Sequence, residues 1–84
     1  MVFFLIEPNH LQAVLSLAKE SNSEVWLGSD ALTEQKLTEL RVSGHKITRF
    51  SHALSGAAPS LVASDLITIK EHHPNEVIWV QHVA

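Results

Sequence analysis

The sequence alternates short apolar runs with segments in which apolar residues recur at helical spacing, and this alternation restricts the fold more than any other feature. Residues 3–6 are all apolar, and after Asn9 apolar residues recur at positions 11, 14, 15 and 18. The spacing i, i+3, i+4, i+7 is typical of an amphipathic helix, and a short unbroken apolar run is typical of a buried strand. The chain is therefore predicted to begin with a strand and a helix.

The same alternation continues to the end of the chain. Residues 25–27 form a second apolar run, and the turn at residues 28–30 leads into a helix that carries three leucines and ends near Gly44. Residues 45–50 follow as a third, more polar strand, and residues 77–80 form a fourth. The pattern predicts the element order β-α-β-α-β-α-β, which is typical of a parallel sheet covered by helices.

Residues 60–73 allow two interpretations. Pro59 is well placed for the first turn of a helix, and His72-His73-Pro74 would end it. The β-branched cluster Ile67-Thr68-Ile69 would instead suit a strand in a hairpin that turns at residues 73–75. We expect the helix, and with it an α/β fold with helices on both faces of the sheet.

The polarity of the third strand favours one strand order. Residues 45–50 include Lys46 and Arg49, so this strand tolerates an edge, whereas the three apolar strands need neighbours. The order 3-2-1-4, that of half a Rossmann-type sheet, satisfies this requirement. The flavodoxin-like order 2-1-3-4 would place the polar third strand inside the sheet. We therefore predict one α/β domain, residues 1–84, with a mostly parallel four-stranded sheet in the order 3-2-1-4.

This order leaves part of the sheet uncovered. Right-handed crossovers place the first two helices on one face and the third helix alone on the other. One helix is about 10 Å across, whereas four strands span about 4 × 4.8 Å. The apolar residues of the third helix also spread over a wider arc than one packing face needs. Both features predict a homodimer or a protein partner.

Composition excludes several other partners. Six Lys and Arg against nine Asp and Glu give a net charge of −3, and no basic run would attract nucleic-acid phosphates. The first apolar run has no positive region before it and is followed by Glu7 and Pro8, which argues against a signal peptide. No other apolar run approaches the roughly 20 residues that a membrane-spanning helix needs. We expect a cytoplasmic protein that binds neither nucleic acid nor membrane.

Each predicted strand ends in polar residues, at the edge of a parallel sheet where helix N-termini also point. In the order 3-2-1-4 the crossovers diverge between strands one and four, which is where ligands bind in such sheets. Five polar residues are predicted to meet there: Glu7, Asn9, His10, Gln81 and His82. Ser29 and Asp30 follow the neighbouring strand, and His52 follows the third strand farther away.

Imidazole and carboxylate groups in one crevice could act as general base and acid or bind a divalent metal. The candidate catalytic residues are Glu7, His10, Asp30 and His82, and the candidate ligand-binding residues are Asn9, Ser29, His52 and Gln81. An ordinary structural interpretation competes with each assignment. Asn9 and Asp30 suit helix N-caps, Ser29 suits a turn, and Glu7 and His10 could simply face solvent.

Absent motifs exclude familiar cofactors. Three glycines, at positions 28, 44 and 56, cannot form a G-x-G-x-x-G loop or a P-loop, so no nucleotide cofactor is predicted. The chain has no cysteine, which excludes a disulfide framework, thiolate catalysis and cysteine-containing zinc sites. No H-E-x-x-H or G-x-S-x-G motif occurs, and no metal ligand set is assigned.

Two functional hypotheses remain from the sequence. The first is a small binding or regulatory module that acts by burying an apolar face against a second copy or another protein. The alternative is a small enzyme, either a metal-assisted hydrolase or one that binds a phosphate ligand, with its site at the carboxyl ends of the strands. The first hypothesis requires no motif that the sequence lacks, and we prefer it.

Overall fold

A computed structural model describes residues 1–82 of the chain. The strands are β1 (Val2–Leu5), β2 (Glu24–Leu27), β3 (Lys46–Arg49) and β4 (Ile78–Val80). The helices are α1 (Leu11–Glu20), α2 (Glu34–Val42) and α3 (Pro59–His72), and a 3-10 turn (Pro8–His10) precedes α1. Among the residues described, no helix combines the length and the apolarity needed to cross a membrane.

The four strands form one sheet in the order β3-β2-β1-β4, and every neighbouring pair is parallel. Phe4 of β1 aligns with Trp26 of β2 and with Val80 of β4. The α/β fold and the predicted strand order are therefore confirmed, and the flavodoxin-like alternative is wrong. The physical reason is the expected one, because the polar strand β3 lies at an edge and the apolar strands β1 and β2 lie in the centre.

The ambiguous segment is a helix. α3 begins with Pro59 in its first turn and ends at His72, so the hairpin alternative for residues 60–73 is wrong. Ile69 is fully buried on the side of α3 that faces the sheet, and this packing outweighs the modest helix propensity of the β-branched cluster. Another predicted signal also holds, because Gly44 has a φ of 96° just after α2, a conformation that glycine adopts without strain.

The two faces of the sheet are covered unequally. The core on one face combines strand residues with Leu15 and Ala18 of α1 and Leu37 of α2. The core on the other face contains Ile69 of α3 and Leu54 of the preceding loop. The first two helices thus share one face and α3 lies alone on the other, as the right-handed crossovers predicted. In β4, Ile78 packs against the edge of the second core, whereas Trp79 and Val80 stay exposed.

Candidate functional site

The carboxyl ends of β1 and β4 border a cleft of about 770 Å³. Seven residues line it: Glu7, Pro8, Asn9, His10, Ser55, Gln81 and His82. All five residues that the sequence predicted at the divergence of the crossovers are among them. Ser29, Asp30 and His52 are not among them. The cleft exists because α1 leaves β1 on one face of the sheet while α3 approaches β4 on the other.

Gln81 builds the floor of this cleft. Its Oε1 accepts hydrogen bonds from the backbone N–H groups of Ile6 at 2.8 Å and Glu7 at 2.7 Å. The backbone N–H of Gln81 donates to Phe4 O, and the two side-chain bonds extend the pairing of β4 with β1 beyond that point. Its Nε2 lies 3.5 Å from Asn9 Oδ1. Gln81 therefore holds the end of β4 against β1, whatever else the cleft binds.

Glu7 faces the cleft but is engaged with the loop that precedes α3. One carboxylate oxygen accepts the Ser55 hydroxyl at 2.5 Å, and the other accepts the Gly56 N–H at 3.2 Å. A carboxylate that satisfies two donors of a loop is held in place and has less freedom to take a proton from a substrate. No local pattern in the sequence links Ser55 to Glu7.

Asp30 performs a similar task from the end of β2. Its carboxylate accepts the N–H groups of Leu54 at 3.0 Å and Ser55 at 3.2 Å. The loop lies so close to β2 that a Cβ added at Gly28 would lie 2.8 Å from Leu54 N. Only glycine fits this approach without a shift of the loop. Asp30 and Glu7 together fix the loop between β3 and α3 from two strands.

Both predicted helix caps are wrong. α2 begins at Glu34, and its N-cap is Thr33, whose side chain accepts the Lys36 N–H at 3.1 Å. Asp30 lies too early in the chain and turns to the loop instead. Asn9 lies within the 3-10 turn, so α1 has His10 at its N-cap position without a side-chain cap. The proline at position 8 starts that extra turn and moves the helix start beyond Asn9.

His52 and Ser29 lie apart from the cleft. The Ser29 N–H donates to the His52 carbonyl oxygen at 2.9 Å, which links the ends of β2 and β3. The His52 ring lies against Phe50, and its Nε2 is 2.7 Å from Oδ2 of Asp65. Asp65 is buried on α3 and was not predicted. The available signal was a lone acidic residue within the apolar arc of a helix, because burial of a carboxylate requires a partner.

The two remaining candidates, His10 and His82, are exposed at the rim of the cleft. Within residues 1–82 no three His, Asp or Glu side chains are grouped so that they could hold a metal ion. The two resolved pKa shifts fall elsewhere. Partial burial and the nearby Lys19 lower the pKa of His45, and hydrogen bonds from the N-terminus and His73 lower the pKa of Glu76. Both residues precede strands, so they lie at the opposite end of the sheet.

A second surface surrounds β4 and is apolar. Its exposed side chains are Val77, Trp79 and Val80, with exposed fractions of 64%, 57% and 43%. We call these three residues the β4 edge surface. On the α3 side, Val80 borders a cleft of about 500 Å³ to which α3 contributes Pro59, Val62, Ala63 and Leu66. On the α1 side, Trp79 borders a smaller cleft of about 140 Å³ with Phe3 and Val14.

The backbone of β4 also has a free side. Val77 O accepts from Val2 N, and Gln81 N donates to Phe4 O, both at 2.9 Å, so residues 77 and 81 direct their backbone groups toward β1. Alternate residues of a strand direct these groups to opposite sides, so Ile78 and Val80 direct theirs outward. No strand pairs with that side in the part of the chain that the structure describes.

Comparisons of the chain with protein-family models, with curated proteins and with solved structures find no significant match. Two surfaces of the protein are candidates for function, the polar cleft and the β4 edge surface. They differ in chemistry, because the cleft has its carboxylate and amide oxygens engaged in internal bonds. The β4 edge surface instead presents apolar side chains and outward backbone groups.

Proposed function

We propose that the protein is a binding module that acts by protein–protein association through the β4 edge surface, as a homodimer or with another protein. The observation that carries the proposal is the combination at one strand of exposed Val77, Trp79 and Val80 with outward backbone groups at Ile78 and Val80. Clustered exposed apolar side chains, which here lie on both faces of one strand, are typical of interaction sites in small proteins. An unpaired strand edge is, in addition, a template for a further strand.

The energetics of this surface favour association. A partner strand would supply acceptors and donors for the outward groups of Ile78 and Val80, each net hydrogen bond contributing about 1 kcal/mol. Covering Trp79 and Val80 would add about 25 cal/mol for each Å² of apolar surface removed from water. The apolar clefts beside β4 give a partner room to insert side chains on both faces of the sheet. Aromatic side chains such as Trp79 are common anchors of protein interfaces.

The cleft supports this choice indirectly. Glu7 and Asp30, the carboxylates that a hydrolase would need, are bonded to the loop at residues 54–56. The metal-assisted alternative also has no cluster of three ligands within residues 1–82. The proposal includes a cytoplasmic setting, supported by the absence of cysteine, and no nucleic-acid or membrane partner, supported by the net charge of −3.

Amide hydrogen exchange measured by NMR tests the association directly. The Ile78 and Val80 amides point outward, so we expect fast exchange in dilute solution and slower exchange when a strand pairs with β4. The protein is compared at low and high concentration, and then with strand-forming peptides, including one that copies residues 76–82. Val80→Lys should remove the protection, because it places a charge at the edge. Val42→Lys is the matched control, since Val42 is also exposed but lies on α2.

Two results would overturn the proposal. One is exchange at Ile78 and Val80 that stays fast at every concentration and with every peptide, together with a monomeric mass in sedimentation. The other is association that Val80→Lys and Val42→Lys weaken equally, because the interface would then lie elsewhere.

A second candidate function is ligand binding in the cleft of about 770 Å³ that Asn9, His10 and His82 help to line. The observation in its favour is the convergence of five polar side chains from both ends of the chain. An NMR titration with zinc, magnesium, inorganic phosphate and nucleotides tests it. Saturable shifts confined to residues 7–10 and 81–82, lost in His10→Ala, would support a site. His72→Ala is the control, because His72 lies at the far end of α3.

A further inference from the structure

Carboxylates face both ring nitrogens of His73, the residue that follows α3. Its Nε2 lies 3.0 Å from a carboxylate oxygen of Glu24, the first residue of β2. Its Nδ1 contacts a carboxylate oxygen of Glu76, which lies in the bend that leads to β4. Only 17% of the His73 side chain is exposed, and the ring lies at right angles to that of Trp26. One imidazole therefore connects the end of α3 with β2 and with the segment before β4.

The two contacts need two protons. An ionised carboxylate only accepts hydrogen bonds, so both N–H groups must belong to the imidazole. A neutral imidazole has one N–H, so it donates to one carboxylate and turns a nitrogen lone pair toward the other. The imidazolium ion has two N–H groups and donates to both, and hydrogen bonds between such charged groups are stronger than neutral ones. The observed contacts of His73 therefore fit the ring that carries two protons.

Other donors bind the remaining oxygens of both carboxylates. Glu24 Oε1 accepts the hydroxyl of Thr48 in β3 at 2.5 Å. Glu76 Oε1 lies 2.6 Å from the Met1 ammonium. Hydrogen bonds from that ammonium and from His73 lower the pKa of Glu76, so this group is an anion throughout the range in which imidazole titrates. Each carboxylate thus accepts on both oxygens, as an ionised carboxylate does, and His73 must supply the second proton.

The charged and titratable groups around His73 come from every element at this end of the sheet. They are the Met1 ammonium before β1, Glu24 of β2, Lys46 of β3, His72 of α3 and Glu76 before β4. Lys46 is exposed and aligns with Glu24 across the two strands. His72 is exposed and forms no ion pair within residues 1–82. The groups paired with the His73 ring are thus two anions, which attract an imidazolium ion.

We propose that Glu24, His73 and Glu76 form a pH switch at the amino end of the sheet, which we call the His73 switch. With two protons on the ring, the switch holds the end of α3 to β2 and to the bend before β4. When the ring loses one proton, a lone pair faces a carboxylate, and one of the two contacts opens. This inference does not depend on the proposed function, because the β4 edge surface takes no part in the switch.

The sign of the pH dependence follows from proton binding. In the unfolded chain the two carboxylates are not placed beside the ring, so the folded state binds the second proton more readily. The contribution to stability is therefore present below about pH 6.5, the ordinary midpoint of imidazole, and is lost as the pH rises further. It also weakens below about pH 4, where carboxylates take up protons. The His73 switch thus stabilises the fold most between these two limits.

Urea unfolding at about pH 5.5 and about pH 7.5 tests the switch, because imidazoles change protonation between these values. The measured quantity is the unfolding equilibrium constant at the higher pH divided by that at the lower pH. We expect this ratio to be roughly fivefold larger in the wild type than in His73→Gln, the effect of about one net hydrogen bond. His72→Gln is the matched control and should keep the wild-type ratio. His72 also lies against Trp26, but it is exposed and lacks an ion pair in the described part of the chain.

Loss of either carboxylate should also reduce the ratio. In Glu24→Gln or Glu76→Gln, the single N–H of a neutral ring serves the carboxylate that remains, so the second proton adds less. Glu39→Gln is the control, because Glu39 is exposed on α2. Glu24→Gln also leaves the Met1 ammonium on Glu76. A wild-type ratio in this variant would therefore assign the pH dependence to that ammonium and overturn the proposal.

NMR of the wild-type protein reads the switch without any variant. The nitrogen shifts of the His73 ring report whether one or two N–H groups are present, and the amide shifts of Glu24 and Glu76 report the two contacts. We expect the amide beside the contact that opens to shift with the same midpoint as the ring. A ring that titrates while both amides stay unchanged would overturn the proposal. So would a ring that keeps one protonation state from about pH 5.5 to about pH 8.5, or equal unfolding ratios in wild type and His73→Gln.

Discussion

The two edges of the sheet are built in opposite ways. At the β3 edge, Phe50 N donates to Leu27 O, so Ile47 and Arg49 direct their backbone groups outward. The Arg41 guanidinium covers the Ile47 carbonyl with two hydrogen bonds, at 2.7 and 3.2 Å. Lys46 adds an exposed charge to this strand. At the β4 edge, the strand residues 78–80 carry no charge.

The difference shows how a small parallel sheet distinguishes a closed edge from an open one. Charged side chains and covered carbonyls prevent a strand from pairing with another chain. β3 has both devices, and its polar residues are tolerated because only β2 lies beside it. β4 has neither, and it exposes Trp79 on one face and Val80 on the other. We infer that the β3 edge is protected against association, whereas the β4 edge is available for it.

The largest effect is expected when the protection of β3 is removed. The double variant Arg41→Ala with Lys46→Val exposes the Ile47 carbonyl and replaces the edge charge with an apolar side chain. A chain with two open edges can add copies at both, so we expect open-ended assemblies in place of a closed oligomer. Light scattering measures the mass. Lys36→Val is the control on α2, and a mass equal to that of the wild type would contradict the protective role of these side chains.

A smaller effect is expected from loosening the end of β4. Gln81→Ala removes the acceptor for the N–H groups of Ile6 and Glu7, and we expect a loss of about 2 kcal/mol in the free energy of unfolding. Urea unfolding monitored by circular dichroism measures it. Gln35→Ala is the matched control, because Gln35 is exposed and its amide only reaches Glu39 at 3.5 Å. Equal losses in the two variants would show that the Gln81 bonds do not hold β4.

The corresponding change at β3 is expected to cost less. Arg41→Ala by itself frees one carbonyl that water can then reach, so we expect a loss of about 1 kcal/mol. Lys36→Ala serves as the control in the same urea experiment. A loss of stability greater than that of Gln81→Ala would contradict the expected ranking of the two variants. It would indicate that Arg41 stabilises the protein mainly by packing against the strand.

The smallest effect concerns pH at the start of β4. Hydrogen bonds from the Met1 ammonium, 2.6 Å away, and from His73 lower the pKa of Glu76 below its ordinary value of 4.5. The folded state then binds this proton less readily than the unfolded state. Its contribution to stability is present above about pH 4.5 and is lost as the pH falls through the lowered pKa. Urea midpoints of wild type and Glu76→Gln should converge below pH 4.5, and parallel pH curves would contradict this role.

Much of the fold was predictable because its signals are local. The apolar runs and helical spacings placed every strand and helix to within a few residues, and the polarity of the third strand selected its position at the edge. The cleft was predictable for the same reason, since strand order alone decides which loops meet. Thr33 was the exception among local signals. A hydroxyl residue just before Glu34 suits an N-cap, and the prediction of Asp30 as the cap is wrong.

The functions of individual polar side chains were not predictable. Asp30 and Glu7 bind a loop that lies 24 to 49 residues farther along the chain, and no pattern in the sequence links them to it. The buried Asp65 depends on His52, thirteen residues away and on the other side of a loop. Hydrogen bonds of this kind depend on distances of a few tenths of an ångström, and only the packed structure fixes those distances.

The sequence by itself determined the α/β class, the strand order and the group of polar residues around the cleft, because periodicity and polarity act on neighbouring residues and strands. The tertiary structure decided that the carboxylates hold a loop and that Arg41 covers one edge. These features depend on which atoms meet across the sheet. These contacts are fixed by packing between segments that lie far apart in the chain, and local sequence patterns do not predict them.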